Sequence, residues 1–197
     1  MRWMLAAAAA SLAIVTAGPG AAEEAVPRDL TPAQVEAYKA GVPRQSSLQV
    51  IAKVDRADLT YTVGDVVKLT VQVNEDAHVA VFNIGPKGRI TQLFPNRLQK
   101  ESLIKAGQEI SVPPKDSATV IKVTGDTGAE LIKVVASNRP LKIVSDIATS
   151  EGQAFLPIAT ESGKFSRDLG LATSDPGPAE KWSLVNIAIR TVPAKKE

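Results

Sequence analysis

The chain reads as an all-β protein: an immunoglobulin-like antiparallel β-sandwich with a short N-terminal helix and a long irregular insertion before the last strand. Two observations lead there. From Leu48 onward apolar residues recur with a period of two, in strand-length segments rich in Val, Ile and Thr. Clusters of Gly, Pro, Asn and Asp separate these segments at short intervals, and no long helical pattern lies between most of them. A small barrel is the alternative closure.

Residues 1–22 read as a secretory signal peptide. Met1-Arg2 gives a positive end, Trp3 to Ala17 is almost wholly apolar, and Gly18-Pro19-Gly20-Ala21-Ala22 is small and helix-breaking, with cleavage expected before Glu23. The apolar run is shorter than the roughly 20 residues a spanning helix needs. The expectation is a periplasmic or secreted chain with no stable membrane span after signal cleavage.

Residues 23–47 are read as an N-terminal arm carrying one short helix. Thr31-Pro32-Ala33-Gln34 has the form of a capping box with proline at the first helical position, and Gly41 with Pro43 ends the helix. Val35 and Tyr38 lie three apart and form its expected apolar face.

The sandwich domain is assigned to residues 48–193. Strands are expected over 48–55, 66–74, 77–85, 89–94, 109–113, 119–123, 129–137 and 183–192. In the second run Leu69, Val71 and Val73 share a face opposite Lys68, Thr70 and Gln72, the pattern of a strand with one buried side. Asn74-Glu75-Asp76-Ala77 reads as a tight connection of the hairpin kind, as does Gly125-Asp126-Thr127-Gly128, and Gly85-Pro86-Lys87-Gly88 reads as a turn with proline at a position of fixed negative φ. Residues 138–181 break the rhythm and read as a long loop insertion, with a helical turn or two over Gly163–Leu171. Residues 194–197 are a basic tail.

The residue inventory excludes several chemistries. There is no cysteine, so disulfides, thiol nucleophiles and zinc–thiolate sites are out. His78 is the one histidine, it opens an alternating strand, and no Ser sits in a Gly-x-Ser-x-Gly elbow. The 23 Lys and Arg balance 21 Asp and Glu and are interspersed, which argues against nucleic acid as a partner. Asp55, Asp58, Asp65, Glu75, Asp76 and Asp126 all fall at turns and read as solvated turn residues rather than a catalytic pair or a calcium site. No catalytic residue, cofactor site or metal site is assigned.

Residues 61–96, "YTVGDVVKLTVQVNEDAHVAVFNIGPKGRITQLFPN", followed by "KAGQEISVP" (105–113) and "GAELIKVVASNRPL" (128–141), resemble a bacterial domain family named only as of unknown function. The shared pattern is Tyr-x-x-Gly-Asp, a hairpin, a strand ending Leu-Phe-Pro-Asn, an Ala-Gly turn and a late strand closing near a proline. The resemblance spans about residues 48–141 and the closing strand. It implies an exported β-sandwich module of a kind also appended to envelope proteins, signalling kinases and caspase-like peptidases. It carries over no catalytic residue. The arm and the 138–181 segment depart from the bare module.

Within "LFPN", Ile90, Gln92 and Phe94 are expected on one face of a strand that Pro95 ends, with Asn96 capping the turn. The alternative is a loop-end contact surface shared with Arg97, Leu98 and Gln99. Candidate contact residues are Phe94, Asn96, Arg97, Phe155, Phe165 and Trp182. The functional expectation is a non-enzymatic module of the cell envelope that binds another envelope protein. The other readings are a ligand-binding or hydrolytic domain using acidic turn residues, and a self-associating structural component.

Overall fold

The computed structural model describes residues 15–16, 26–41, 46–124, 127–142, 154–158, 162–174 and 180–194. In chain order the elements are β1 (Val15–Thr16), α1 (Pro32–Lys39), β2 (Val50–Val54), β3 (Thr60–Thr62), β4 (Val66–Val67), β5 (Leu69–Val73), β6 (Ala77–Ile84) and β7 (Ile90–Phe94). There follow β8 (Leu103–Ile104), β9 (Glu109–Val112), β10 (Ile121–Lys122), β11 (Gly128–Ser137), β12 (Leu156–Ile158), α2 (Ser162–Ser174) and β13 (Trp182–Val192). The expected leader cleavage point, the Gly125-Asp126 turn, the Asp175–Pro178 stretch and the Lys195-Lys196 tail lie outside the described residues.

Two sheets pack face to face. One runs β1-β2-β5-β9; the other runs β12-β7-β6-β11-β13-β3, with β8 pairing β6 below β7. A two-stranded ribbon, β4 with β10, completes the strands. Alternation along β2 and β5 sends Val50, Ala52, Val54, Leu69, Val71 and Val73 into the shared core. From the opposite sheet Val79, Val81, Ile132, Val134, Val185 and Ile187 meet them. This is the all-β sandwich that the period-two pattern predicts.

The larger sheet is buried on its other face as well, by α1 and α2. Ala80, Phe82, Ile84, Leu131, Val135 and Leu184 form a second apolar layer with Ala37, Phe165 and Leu169 of the helices. Phe82 and Phe165 meet edge to face with centroids 4.9 Å apart. Such a pair is worth about 0.5–1.5 kcal/mol beyond its burial. Gly163, Ser166 and Gly170 recur at helical spacing on α2, and a side-chain carbon added at Gly163 would lie 3.4 Å from a carboxylate oxygen of Glu36 on α1.

The capping box forms: the Thr31 amide donates to Gln34 Oε1 at 2.9 Å. Gln34 is also fully buried and donates through Nε2 to the carbonyls of Ile84 and Ala129, at 3.0 and 2.7 Å. The buried side of α1 is therefore Gln34 and Ala37, with the expected Val35 and Tyr38 only half buried. A polar residue is chosen there because the two sheet carbonyls need a donor.

Several sequence expectations are corrected. Residues 74–77 join strands of different sheets and are an arch, not a hairpin. Asn74 ties this arch to the start of β2 by accepting from the Gln49 amide and donating to the Ser47 carbonyl. The 66–74 run splits at Lys68, whose amide bonds Asp55 Oδ1 instead of continuing one ladder. Part of the 138–181 insertion is regular: β12 pairs with β7, and α2 extends over 13 residues.

Candidate functional surface at the Leu-Phe-Pro-Asn corner

The β7 strand begins as its sequence suggests, with Ile90 and Gln92 facing the helical layer opposite Ile84 and Phe82. A bulge then intervenes, because Val81 pairs with Phe94 while Phe82 pairs with Gln92, leaving Leu93 as the extra residue. The bulge turns Phe94 over. Leu93 and Phe94 both enter the core between the sheets, so Phe94 does not share a face with Ile90 and Gln92.

Pro95 follows through a cis peptide, and its carbonyl accepts from Gln92 Nε2 at 2.9 Å. Asn96 is fully buried. Its Nδ2 donates to the Leu93 carbonyl at 2.7 Å, and its Oδ1 accepts from the amides of Leu98 and Gln99 at 2.8 and 2.9 Å. The backbones of Asn96 and Gln99 exchange two further bonds, and Gln99 Nε2 reaches the Ser111 carbonyl. An asparagine suits the position because one side chain offers donor and acceptor to a turn whose backbone would otherwise lack partners.

What this base presents is a short loop. β7 and β8 occupy successive stretches of the same edge of β6, so residues 95–102 arch between them. On that rim Leu98 is 46% exposed and Leu103 42% exposed, beside exposed Arg97, Lys100 and Glu101. The Arg97 amide donates to the Ala154 carbonyl, which anchors the segment leading into β12 to the same corner. The other exposed large apolar residues among those described are Val66 and Val120, at the β4–β10 ribbon.

Of the six residues read from sequence as contact candidates, Phe94, Asn96, Phe165 and Trp182 are buried. Phe155 is half buried against the core between the sheets, and Arg97 is exposed. The buried aromatics are structural: Phe165 fastens α2 onto the sheet, and Trp182 starts β13 opposite Ser137. Leu103 escaped the sequence reading because a two-residue strand has no periodicity to detect.

The acidic turn residues are engaged in local bonding. Asp55 Oδ1 accepts from the Tyr61 hydroxyl at 2.8 Å and from the Lys68 amide. Asp58 accepts from the Thr60 amide. Asp65 accepts from the Thr62 amide and pairs with Arg56 at 2.6 Å, and these two contacts hold its carboxyl below the usual carboxylate range. Hydrogen bonds from Lys181 and from Lys105 likewise lower Glu75 and Asp76. Each of these shifts runs opposite to that of a general acid. Among the described residues no group of three His, Cys, Asp or Glu side chains is placed to hold a metal ion.

One buried cation stands apart. Lys133, on β11, is 1% exposed in the layer between sheet and helices. Its Nζ donates to the Tyr38 carbonyl and to Asn186 Oδ1. Burial lowers its pKa to about 7. The Tyr38 carbonyl belongs to the last turn of α1, where helix carbonyls lack partners, so Lys133 and Asn186 together cap that helix from the sheet.

The fold and this surface define a β-sandwich module backed by two helices, with a locked apolar rim. Residues 60–140 match the model of a domain of unknown function, DUF4384. The match runs from β3 through β11 and onto the residues just beyond, and so includes both the Tyr61-x-x-Gly64-Asp65 motif and the 94–99 corner. No curated protein and no solved structure matches the chain.

Proposed function

We propose that this protein is a non-enzymatic, exported module of the bacterial cell envelope that binds another envelope protein through the 97–103 rim. The leader-like residues 1–22 support export. The observation that carries the binding reading is the exposure of Leu98, on a loop tied down by buried Asn96, beside exposed Leu103 at the start of β8. A prefixed loop loses little conformational freedom on binding, and apolar side chains ringed by charged ones are the usual make-up of a contact site. Arg97, Lys100 and Glu101 form the polar surround.

The test is crosslinking of the tagged chain in its native envelope, alongside a Leu98→Ser/Leu103→Ser variant. Because both leucines are exposed, the variant should keep the parent's circular dichroism and thermal midpoint. One recurrent partner captured by the parent and lost by the variant is the expected result. A partner retained by the variant removes the rim from the proposal. No partner for a folded, abundant protein removes the adaptor role.

A further inference from the structure

The strand that covers the outer edge of β2 comes from the segment read as the leader. Val15 and Thr16 pair antiparallel with Ala52 and Ile51. They also lie beside β13, whose side away from β11 is paired, among the described residues, only at Arg190–Val192, by β3. β1 therefore occupies a seam where the two sheets come together, marked by the bond from the Val50 amide to Ser183 Oγ at 3.1 Å.

The hydrogen bonds around β2 identify which of its groups face this seam. The Asp55 amide donates to the Lys68 carbonyl, and the Gln49 carbonyl accepts from the Asn74 amide, so odd-numbered positions turn toward β5. Even-numbered positions turn outward. Of their amides, that of Val50 is taken by Ser183. The amide and carbonyl of Ala52 and those of Val54 are left for whatever lies alongside.

Natural edge strands are protected by prolines, bulges, charges or a covering segment. β2 has no proline, no bulge and one charged residue, Lys53. Its protection is the covering segment. A chain cleaved before Glu23 lacks that segment.

We propose that leader removal opens β2 as a strand-addition site for an extended, uncharged segment of a partner protein, carrying small and β-branched residues and entering antiparallel at Ala52. This rests on the export reading above. The chemistry of the occupant follows from the register. A residue paired with Ala52 shares its face, which is the core side, and must be apolar; a residue paired with Ile51 lies on the outer side and can be polar. The added strand supplies main-chain bonds for affinity, and the core-side position supplies selectivity.

The experiment uses the chain recovered from the envelope after export, with its N-terminus determined first. The probe is a synthetic peptide of residues 12–18, Leu-Ala-Ile-Val-Thr-Ala-Gly. We expect a chain beginning near Glu23 that binds the peptide saturably, with hydrogen exchange at the Ala52 and Val54 amides slowed about tenfold or more. Methylating the peptide nitrogen at Val15, which faces β2 in this register, should weaken binding by about tenfold or more. Methylating it at Thr16, which faces away, should change little. A recovered chain that retains residues 1–22 overturns the leader reading, and the open edge with it. A processed chain that ignores the peptide, or responds equally to both methylations, overturns strand addition while leaving export intact. Edge amides already slow to exchange in a concentration-dependent dimer would assign the edge to a second copy instead.

Discussion

Lys133 Nζ donates to Asn186 Oδ1 at 3.1 Å, and the two side chains converge on the Tyr38 carbonyl, at 3.3 Å from Lys133 and 3.2 Å from Asn186. Three elements, β11, β13 and α1, are thereby joined at one point, where Lys133 is buried and Asn186 and Tyr38 are half buried. The arrangement is costly to keep charged, since the only cause resolved for the lowered pKa is burial itself.

The cost makes stability depend on pH. Lys133 titrates near 7 in the folded chain against 10.5 as its ordinary value. Between those values the unfolded chain holds the extra proton, so stability rises with pH across the window; below it the full penalty is present. A Lys133→Met variant should lose this rise. Urea titrations from pH 6 to 10 should show the parent gaining several kcal/mol more than the variant. Parallel curves for the two chains would mean that Lys133 stays charged when folded.

At the Leu-Phe-Pro-Asn corner, Asn96→Ala removes one donor and one acceptor supplied by a fully buried side chain. The Leu93 carbonyl and the amides of Leu98 and Gln99 each lose a partner. We expect a loss of about 2–4 kcal/mol by urea unfolding, large for one polar residue. Asn96→Asp keeps the acceptor but cannot donate to Leu93, so it should fall between parent and alanine variant. A loss below about 0.5 kcal/mol for Asn96→Ala would show that the turn holds without it.

The Tyr-x-x-Gly-Asp motif is a second structural knot. Tyr61 is buried, its hydroxyl bonds Asp55, and Arg56 lies 4.7 Å from its ring centroid. Gly64 adopts φ +102°, where a side chain would be strained, and Asp65 closes the turn onto Thr62. Tyr61→Phe should cost about 1–2 kcal/mol near neutral pH. Burial, then the Asp55 bond, raises the phenol above its usual 10.0. Its contribution is thus whole below pH 10 and declines above it, so parent and Tyr61→Phe stabilities should converge in alkali. Constant separation would rule out an ionisation difference.

These two motifs explain how much of the fold was legible. Glycine with positive φ, proline ending a strand and asparagine capping a turn act locally, so the residues announce the geometry. Strand faces followed from alternation, until the bulge at Leu93 moved Phe94 to the other side, which no period-two pattern signals. The 74–77 arch failed for a related reason: a short polar connection does not say whether its flanking strands share a sheet. Least legible was the contact surface. Phe165 and Trp182 read as exposed because the sequence does not reveal that α2 covers the larger sheet, and Phe94 because it does not signal the bulge. Leu98 and Leu103, by contrast, protrude only through the tertiary path of the chain between β7 and β8.

That helical layer should be separable from the sandwich. Phe165 is buried and contacts Phe82 edge to face, so Phe165→Ala removes the larger of the two buried apolar side chains described on α2, the other being Leu169. The expected cost is about 3 kcal/mol, felt first by the α2 side of the molecule, since among the described residues the core between the sheets contains none from either helix. Trp182 lies in the same layer as Phe165, and the only other tryptophan is Trp3, in the leader-like segment. In a Trp3→Phe background Trp182 fluorescence is therefore a direct reporter. In Phe165→Ala its emission should shift to the red at lower urea than the loss of β-sheet circular dichroism. Coincident transitions would show that helices and sandwich unfold as one unit.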